Sequence, residues 1–232
     1  MADLPDIGML ERSELFRGVP PDVLEEARRA AFRKKFLAGD VLIQQEDAAT
    51  TLFTVVVGRL RATQTTSDGQ QIIIRYLGPG EIAGYAILSG SDVHPGAVTA
   101  VDDSHVIGFP AAVIRGLMVR HSSIAINAVR LLGARYRDLQ VRLRELATEK
   151  VDRRIAHTLL RLAQQAGRRT IRGIEIAFPL SRQDLAEMSG TTLHTVSRTL
   201  SGWEERGVVD SGRRRVVIAK PGDLALIAGE TA

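Results

Sequence analysis

The chain has 232 residues, with 31 Lys and Arg against 27 Asp and Glu, five His and no Cys. That length suits one large domain or two small ones, and 44% hydrophobic with 25% charged residues is the balance of a globular protein. Lacking cysteine, it has no disulfide framework, thiolate zinc site, cysteine-ligated iron–sulfur cluster or Cys nucleophile. No apolar run approaches the roughly 18–20 residues of a membrane span. The start, Met1-Ala2-Asp3-Leu4-Pro5-Asp6, has no apolar signal core, so a cytoplasmic protein with no membrane partner is expected. Charge is unevenly placed: residues 1–150 carry 18 basic and 18 acidic side chains, whereas 151–232 carry 13 and 9. Only the last third has the excess that suits a polyanion.

Residues 9–30 read as short helices, with Ser13 ahead of Leu15-Phe16 and Val23, Leu24 and Ala27 on a helical period. From Phe36 to Phe109 the rhythm changes to short runs rich in Val, Ile, Leu and Thr, at 41–43, 52–57, 60–66, 71–77 and 98–101. Gly39-Asp40, Gly58, Asp68-Gly69 and Gly78-Pro79-Gly80 punctuate them. Short strands with frequent turn signals indicate an antiparallel sandwich or barrel. Ser67-Asp68-Gly69 is a hairpin signal, because Asp and Gly tolerate a positive φ.

Pro110 closes that region, and one long helical stretch is expected to about Lys150. Val129, Leu132, Tyr136, Leu139, Leu143 and Leu146 fall at spacings of three and four, with charged residues between them. So narrow an apolar stripe on a charged helix reads as a two-stranded coiled-coil seam and hence a parallel homodimer. The competing reading is a core helix packed on its own sheet, which shows a wider stripe. A second helix is expected from about Val151 to Ala166, broken by Gly167-Arg168-Arg169, with short strands around 171–178.

Ser181-Arg182-Gln183-Asp184 then forms a capping box opening a helix that ends at Ser189-Gly190, where glycine permits a left-handed turn. A second helix begins at about Thr192 and carries Leu193, Val196, Leu200 and Trp203 on its inner period. Two short helices around a glycine turn make a helix-turn-helix, whose second helix enters the DNA major groove. Its outward face holds Thr192, His194, Thr195, Ser197 and Arg198. Arg198 suits a bidentate contact to guanine, while His194, Thr195 and Ser197 are further base-reading candidates. Residues 208–218 read as a hairpin with Arg213, Arg214 and Arg215 at its tip, a wing suited to phosphates. Ser181, Arg182 and Thr192 join those arginines as backbone-contact candidates. The competing reading, a plain helical hairpin with a solvated basic turn, must explain cap, turn, arginines and charge asymmetry as coincidence.

In this order the segments resemble the CRP/FNR family of bacterial transcription regulators over essentially the whole chain. Gly39-Asp40-Val41-Leu42-Ile43, Leu52-Phe53-Thr54-Val55-Val56-Val57-Gly58 and Leu77-Gly78-Pro79-Gly80-Glu81 resemble the family's β-roll. Leu180-Ser181-Arg182-Gln183-Asp184-Leu185-Ala186 through Thr195-Val196-Ser197-Arg198 resembles its helix-turn-helix. The resemblance implies an α+β fold: an antiparallel β-roll (double-stranded β-helix or jelly-roll) sensor over 1–110, a dimerisation helix over 111–149 and a winged helix-turn-helix over 150–232. It also implies a homodimer on palindromic double-stranded DNA, with RNA polymerase as a further partner.

The departures concern the effector. Members that bind cyclic AMP use a Gly-Glu-Leu motif and an Arg-Ser/Thr-Ala motif, where this chain reads Gly84-Tyr85-Ala86 and His94-Pro95-Gly96. Leu139 and Gln140 stand where the dimer helix meets adenine, so Gly84, Tyr85, Ala86, His94, Pro95, Leu139 and Gln140 are the candidate effector pocket. Losing the guanidinium removes a phosphate clamp, which argues against cyclic AMP. The run Thr192-Leu193-His194-Thr195-Val196-Ser197-Arg198 resembles the nitric oxide-responsive regulators of denitrification (the NnrR/DNR-like subgroup). That resemblance implies haem b as a candidate cofactor, with His94, His105 and His121 as candidate ligands. A cyclic nucleotide, a small acid, or constitutive action without ligand are the alternatives. His194 departs from a Glu frequent at that family position, so the half-site is expected to differ there. An enzyme is not expected: there is no Gly-x-Ser-x-Gly, His-Glu-x-x-His, P-loop or strand-borne Gly-x-Gly-x-x-Gly. The remaining rival is a ligand-binding or interaction module that does not read DNA.

Overall fold

The computed structural model describes residues 5–230; Met1 to Leu4, at the start from which no leader is expected, lie outside the described residues. The chain divides into two compact units, Met1–Leu139 and Gln140–Ala232. Among the described residues no helix is long and apolar enough to cross a membrane.

The first unit opens with α1 (Ile7–Glu11), started by the Asp6 side chain accepting from the Gly8 amide. Helix α2 (Pro21–Ala30) has proline in its first turn, where no amide partner is lost, and Arg28 and Arg29 at its negative end. The stretch 12–18, expected as helix, forms turns. Asn127 donates to the carbonyls of Leu15 and Arg17 that a helix would use, and the Ser13 hydroxyl meets that of Thr54 at 3.1 Å.

Eight strands follow: β1 (Phe32–Phe36), β2 (Val41–Ile43), β3 (Thr51–Val57), β4 (Leu60–Thr65), β5 (Gln71–Leu77), β6 (Ile82–Ala83), β7 (Ala97–Ala100) and β8 (Ser104–Pro110). They pair antiparallel in two four-stranded sheets, β1-β8-β3-β6 and β2-β7-β4-β5. The chain crosses repeatedly from one sheet to the other, as the β-roll expectation requires. In the first sheet β3 and β8 are largely buried on both faces, whereas β1 is exposed along most of its length. Phe53, Val55 and Val106 meet Ile43, Leu77 and Val98 of the second sheet in one core cluster. Leu52, Ile107 and Phe109 face a second cluster built with the helices. Runs such as 52–57 are therefore nearly continuous in apolar residues and do not alternate.

Helix α3 (Ala86–Ser89) interrupts the strands. The single stretch expected after Pro110 is two helices, α4 (Ala111–Arg120) and α5 (Ser122–Thr148). His121 separates them in extended backbone, its ring 2.8 Å from a Glu26 carboxylate oxygen. On α5, Ile124, Ala128 and Leu131 enter the helix-side core, and Leu132, expected in the outward seam, is half-buried against it. The division at 110/111 is thus not a break in packing, since α4 and the first part of α5 share the core of the strands.

The second unit contains α6 (Val151–Ala166), β9 (Gly167–Thr170), β10 (Gly173–Ile176), α7 (Arg182–Ser189), α8 (Leu193–Glu205), β11 (Val209–Gly212), β12 (Arg215–Ile218) and α9 (Pro221–Ala228). Its sheet runs β11-β12-β10-β9. The segment from Gly167, expected only to end a helix, is itself the edge strand of that sheet.

Phe16 has no solvent exposure and its ring lies 5.1 Å from that of Phe109, linking the N-terminal turn to β8. Phe16→Ala is expected to cost about 3–5 kcal/mol through lost burial and the cavity left behind. Urea denaturation of wild type and variant, followed by circular dichroism, measures it.

Candidate nucleic-acid interface and sensor cavity

The capping box forms as its sequence requires: the Ser181 hydroxyl accepts from the Asp184 amide at 3.0 Å, and the Asp184 carboxylate accepts from the Ser181 amide at 2.8 Å. Helix α7 ends at Gly190 in the left-handed region, φ 61° and ψ 49°. A Cβ there would also lie 2.7 Å from Leu146 Cδ2, so glycine answers both to backbone conformation and to a close neighbour. Thr192 caps α8 by accepting from the Thr195 amide. Val196, Leu200 and Trp203 are buried, which fixes the rotation of α8 and turns His194 and Arg198 to solvent with Thr195 and Ser197 beside them. Leu193, expected on the inner period, is 48% exposed. It precedes the first buried turn and joins the outward set, a placement that periodicity alone could not give.

The basic candidates separate into free and committed groups. Arg198, Arg213 and Arg214 are exposed, and their side chains make no hydrogen bond or ion pair within the described chain. Arg214 holds φ 61° at the wing turn, and its carbonyl accepts from the Leu180 amide. Arg215, expected with them, instead pairs with Asp210 at 2.7 Å and lies 3.8 Å from Glu175. Arg182 donates to the Ser211 hydroxyl, and the Ser181 hydroxyl serves the cap, so both brace the motif. Thr192 is exposed while capping.

Arg154 is a residue that sequence reading missed. From α6 it donates to the carbonyls of Glu149, Ser189 and Gly190 at 3.0–3.1 Å, joining the segment after α5 to the turn between α7 and α8. Beside it, Arg161 makes two bonds to the buried Glu145 carboxylate. An arginine on a helix flank carries no sequence signal for such a role.

In the first unit a cavity of about 310 Å³ is lined by β2, β4, β5, the 83–86 turn and the 94–98 segment. It contains five predicted pocket residues, Gly84, Tyr85, Ala86, His94 and Pro95, together with Leu139 from α5. Gln140, expected with them, is exposed and is not part of the lining. Gly84 has φ 92°, and a Cβ on it would lie 3.0 Å from the Thr51 carbonyl and 3.5 Å from the His94 ring. His94 is only 5% exposed, and its backbone is pinned to Asp47 and Glu46. Burial pushes its ring pKa below the usual imidazole value, with Asp47 pulling the other way, so it is neutral at pH 7.

Arg75, the guanidinium of the lining, was also missed; it pairs with Glu81. A β-bulge at Ala62/Thr63 shifts the pairing of β4 with β5, so simple alternation does not report which way Arg75 faces. The Tyr85 hydroxyl accepts from Arg135 Nε at 3.1 Å and meets Glu14, and burial pushes its phenol up to about 12. Arg135 also holds Glu14. The other two candidate haem ligands lie elsewhere: His105 is exposed on β8, and His121 faces Glu26.

Outward along α5, Val129, Tyr136, Leu139, Leu143 and Leu146 are each more than half exposed. Leu132, expected in the same stripe, is instead half-buried against the core.

A cyclic-nucleotide-binding type of β domain, a long helix and a winged helix-turn-helix define a DNA-binding transcription regulator. Comparison with known families agrees: residues 33–121 match the cyclic nucleotide-binding domain and residues 153–227 the Crp-like helix-turn-helix domain. The chain is 29% identical over 219 residues to the cyclic AMP receptor protein of Thermus thermophilus, covering 94% of this chain and 98% of that one. It is 30% identical to the solved catabolite activator protein of Thermus thermophilus, at a TM-score of 0.53, covering 94% of this chain and all 100% of the other. The fold is also that of FixK2 from Bradyrhizobium japonicum, with a TM-score of 0.76 at 23% identity, covering 87% and 99% of the two chains. The chain belongs to the CRP/FNR family of DNA-binding transcription regulators. Like its relatives, it is a regulator and not an enzyme.

Arg154→Ala strands three carbonyls, each costing about 1–3 kcal/mol where it stays buried. Hydrogen exchange is expected to rise at the amides of 190–193 while those of the β sheets in the first unit stay protected. Mass spectrometry of deuterated peptides measures both.

Proposed function

We propose that the protein works in the cytoplasm as a homodimer that reads a palindromic operator and answers to an effector other than cyclic AMP. The observation that carries the DNA reading is the division of α8: a sealed inner face and an outer face with unpaired Arg198 and His194. Arg198 would donate to guanine O6 and N7, while Leu193, His194, Thr195 and Ser197 bias the neighbouring bases. Arg213 and Arg214 would meet phosphates at the wing, with Thr192 at the start of α8 as a further contact. The uncovered stripe on α5 supports pairing with a second copy, which sets the half-sites about one helical turn apart. Activation would add RNA polymerase as a partner.

The relatives' names include cyclic AMP receptors. In this chain the cavity offers a phosphate no uncommitted cation, since Arg75 pairs with Glu81 and His94 is neutral. This supports a different effector. Nitric oxide sensed through haem is a second reading, favoured by His94 as a buried imidazole without a partner. If haem bound there, His94 would be the residue to hold it and the iron would supply the gas chemistry. Its propionates would face the same lack of cations, so an organic effector ranks first.

Two experiments test the reading. Selection from random duplexes should yield a palindrome; Arg198→Ala is expected to lower affinity for it by about 1–3 kcal/mol per half-site with unchanged sedimentation. Retention of full specificity by that variant would overturn the assignment. Leu143→Glu should convert the sedimenting dimer to monomer and abolish operator binding, while the secondary-structure signal stays.

A further inference from the structure

Resting on the regulator reading above, we infer that the effector is an uncharged, mainly apolar organic molecule held in the β-domain cavity by a hydrogen bond to the His94 ring. The walls come first. Ile43, Ile74, Leu77, Val98 and Leu139, with several alanines and glycines, make the lining mainly apolar, and Thr63 and Gln64 add uncharged polar groups, which suits hydrocarbon and offers a sugar-phosphate little. At about 310 Å³ the cavity stands at the small end of the roughly 300–1,000 Å³ typical of ligand pockets.

Charge is the second argument. An ionised carboxylate or phosphate in such surroundings needs a cation, or its desolvation is uncompensated. Arg75 is paired with Glu81, and its Nη1 is sealed from solvent without any acceptor, so it is not presented to a ligand. Tyr85 spends its hydroxyl on Arg135 and Glu14. A charged effector would have to break one of these arrangements.

The third is His94 itself. Its ring is almost wholly buried, lies over the bare Cα of Gly84, and makes no hydrogen bond within the described chain. Neither ring nitrogen is sealed from solvent, so a ligand seated against the ring can reach them. Neutral imidazole has one donor and one acceptor, which a hydroxyl, carbonyl or amide would satisfy. The ligand class follows: an apolar body with one uncharged polar group.

Three probes with one ring system separate the possibilities. They are 2-naphthol, with a neutral hydroxyl; naphthalene, with no hydrogen-bonding group; and 2-naphthoate, an anion. Calorimetric titration of the full-length protein at pH 7.5 should show saturable binding of 2-naphthol, with 2-naphthoate at least tenfold weaker. His94→Leu should weaken 2-naphthol about tenfold, the loss of one buried hydrogen bond, and leave naphthalene unchanged. His94→Gln should restore much of the 2-naphthol affinity, and equal melting temperatures would exclude misfolding as the cause. The inference is overturned if 2-naphthol does not bind, if His94→Leu binds it as wild type does, or if 2-naphthoate is preferred. A Soret band in protein from haem-supplied cells that His94→Leu abolishes would overturn it in favour of haem. Operator binding is scored separately without any probe: its absence in wild type would sink the regulator reading and leave the cavity result standing.

Discussion

Helix α5 must satisfy two apolar stripes at once. Ile124, Ala128 and Leu131 enter the core of their own chain, while Val129, Tyr136, Leu139, Leu143 and Leu146 are left outside it. Each buried leucine is worth about 1.5–3 kcal/mol relative to exposure, so a single chain forgoes a large share of its available stabilisation along this helix. Rotating the helix would not help, because covering the second stripe would expose the first. The proposed second copy resolves the conflict, and once it is present the two recognition helices are held as a pair. Specific reading of two half-sites thereby becomes a consequence of burying leucine.

The same helix touches the cavity. Leu139 forms part of the lining, and one turn earlier Arg135 holds the Tyr85 hydroxyl and Glu14. In the proposed dimer, a ligand that shifted Tyr85 or crowded Leu139 would act directly on α5. It would control an equilibrium between dimer arrangements only in so far as it bound one of them better. In the second unit Arg154 gathers the carbonyls after α5 and those of the helix-turn-helix turn.

The sequence was most legible where local chemistry decides structure. The Ser181–Asp184 box, the left-handed Gly190 and the helix start at Thr192 are short-range devices, and all three form as written. Strand runs were readable too, apart from β1, whose Arg33, Lys34 and Lys35 break any apolar run, and β6 and β8, which were not separately resolved. Tertiary partners overrode the pattern elsewhere. Asn127, more than a hundred positions away, claims the carbonyls that would have made 12–18 helical. Glu26 meets the His121 ring where the expected single helix divides. Leu132 fits the heptad but packs inward. Composition could not say which arginines are free: Arg182 and Arg215 are committed to neighbours brought close only by folding.

The modest excess in residues 151–232, 13 basic against 9 acidic, understates the local field. Arg153 donates to the Ala228 carbonyl, Arg154 serves the turn, Arg161 pairs with Glu145 and Arg168 with Glu175. These arginines do structural work and leave Arg198, Arg213 and Arg214 as uncompensated cations on α8 and the wing. A polyanion responds to charges that are free and close together, since pairing and screening remove the rest beyond about 10 Å at 0.1 M salt. The cavity follows the opposite rule, with its guanidinium neutralised and its imidazole uncharged. In the proposed regulator the free charges of α8 and the wing would face the phosphate backbone, whereas the cavity holds no uncommitted cation for a phosphate-bearing effector.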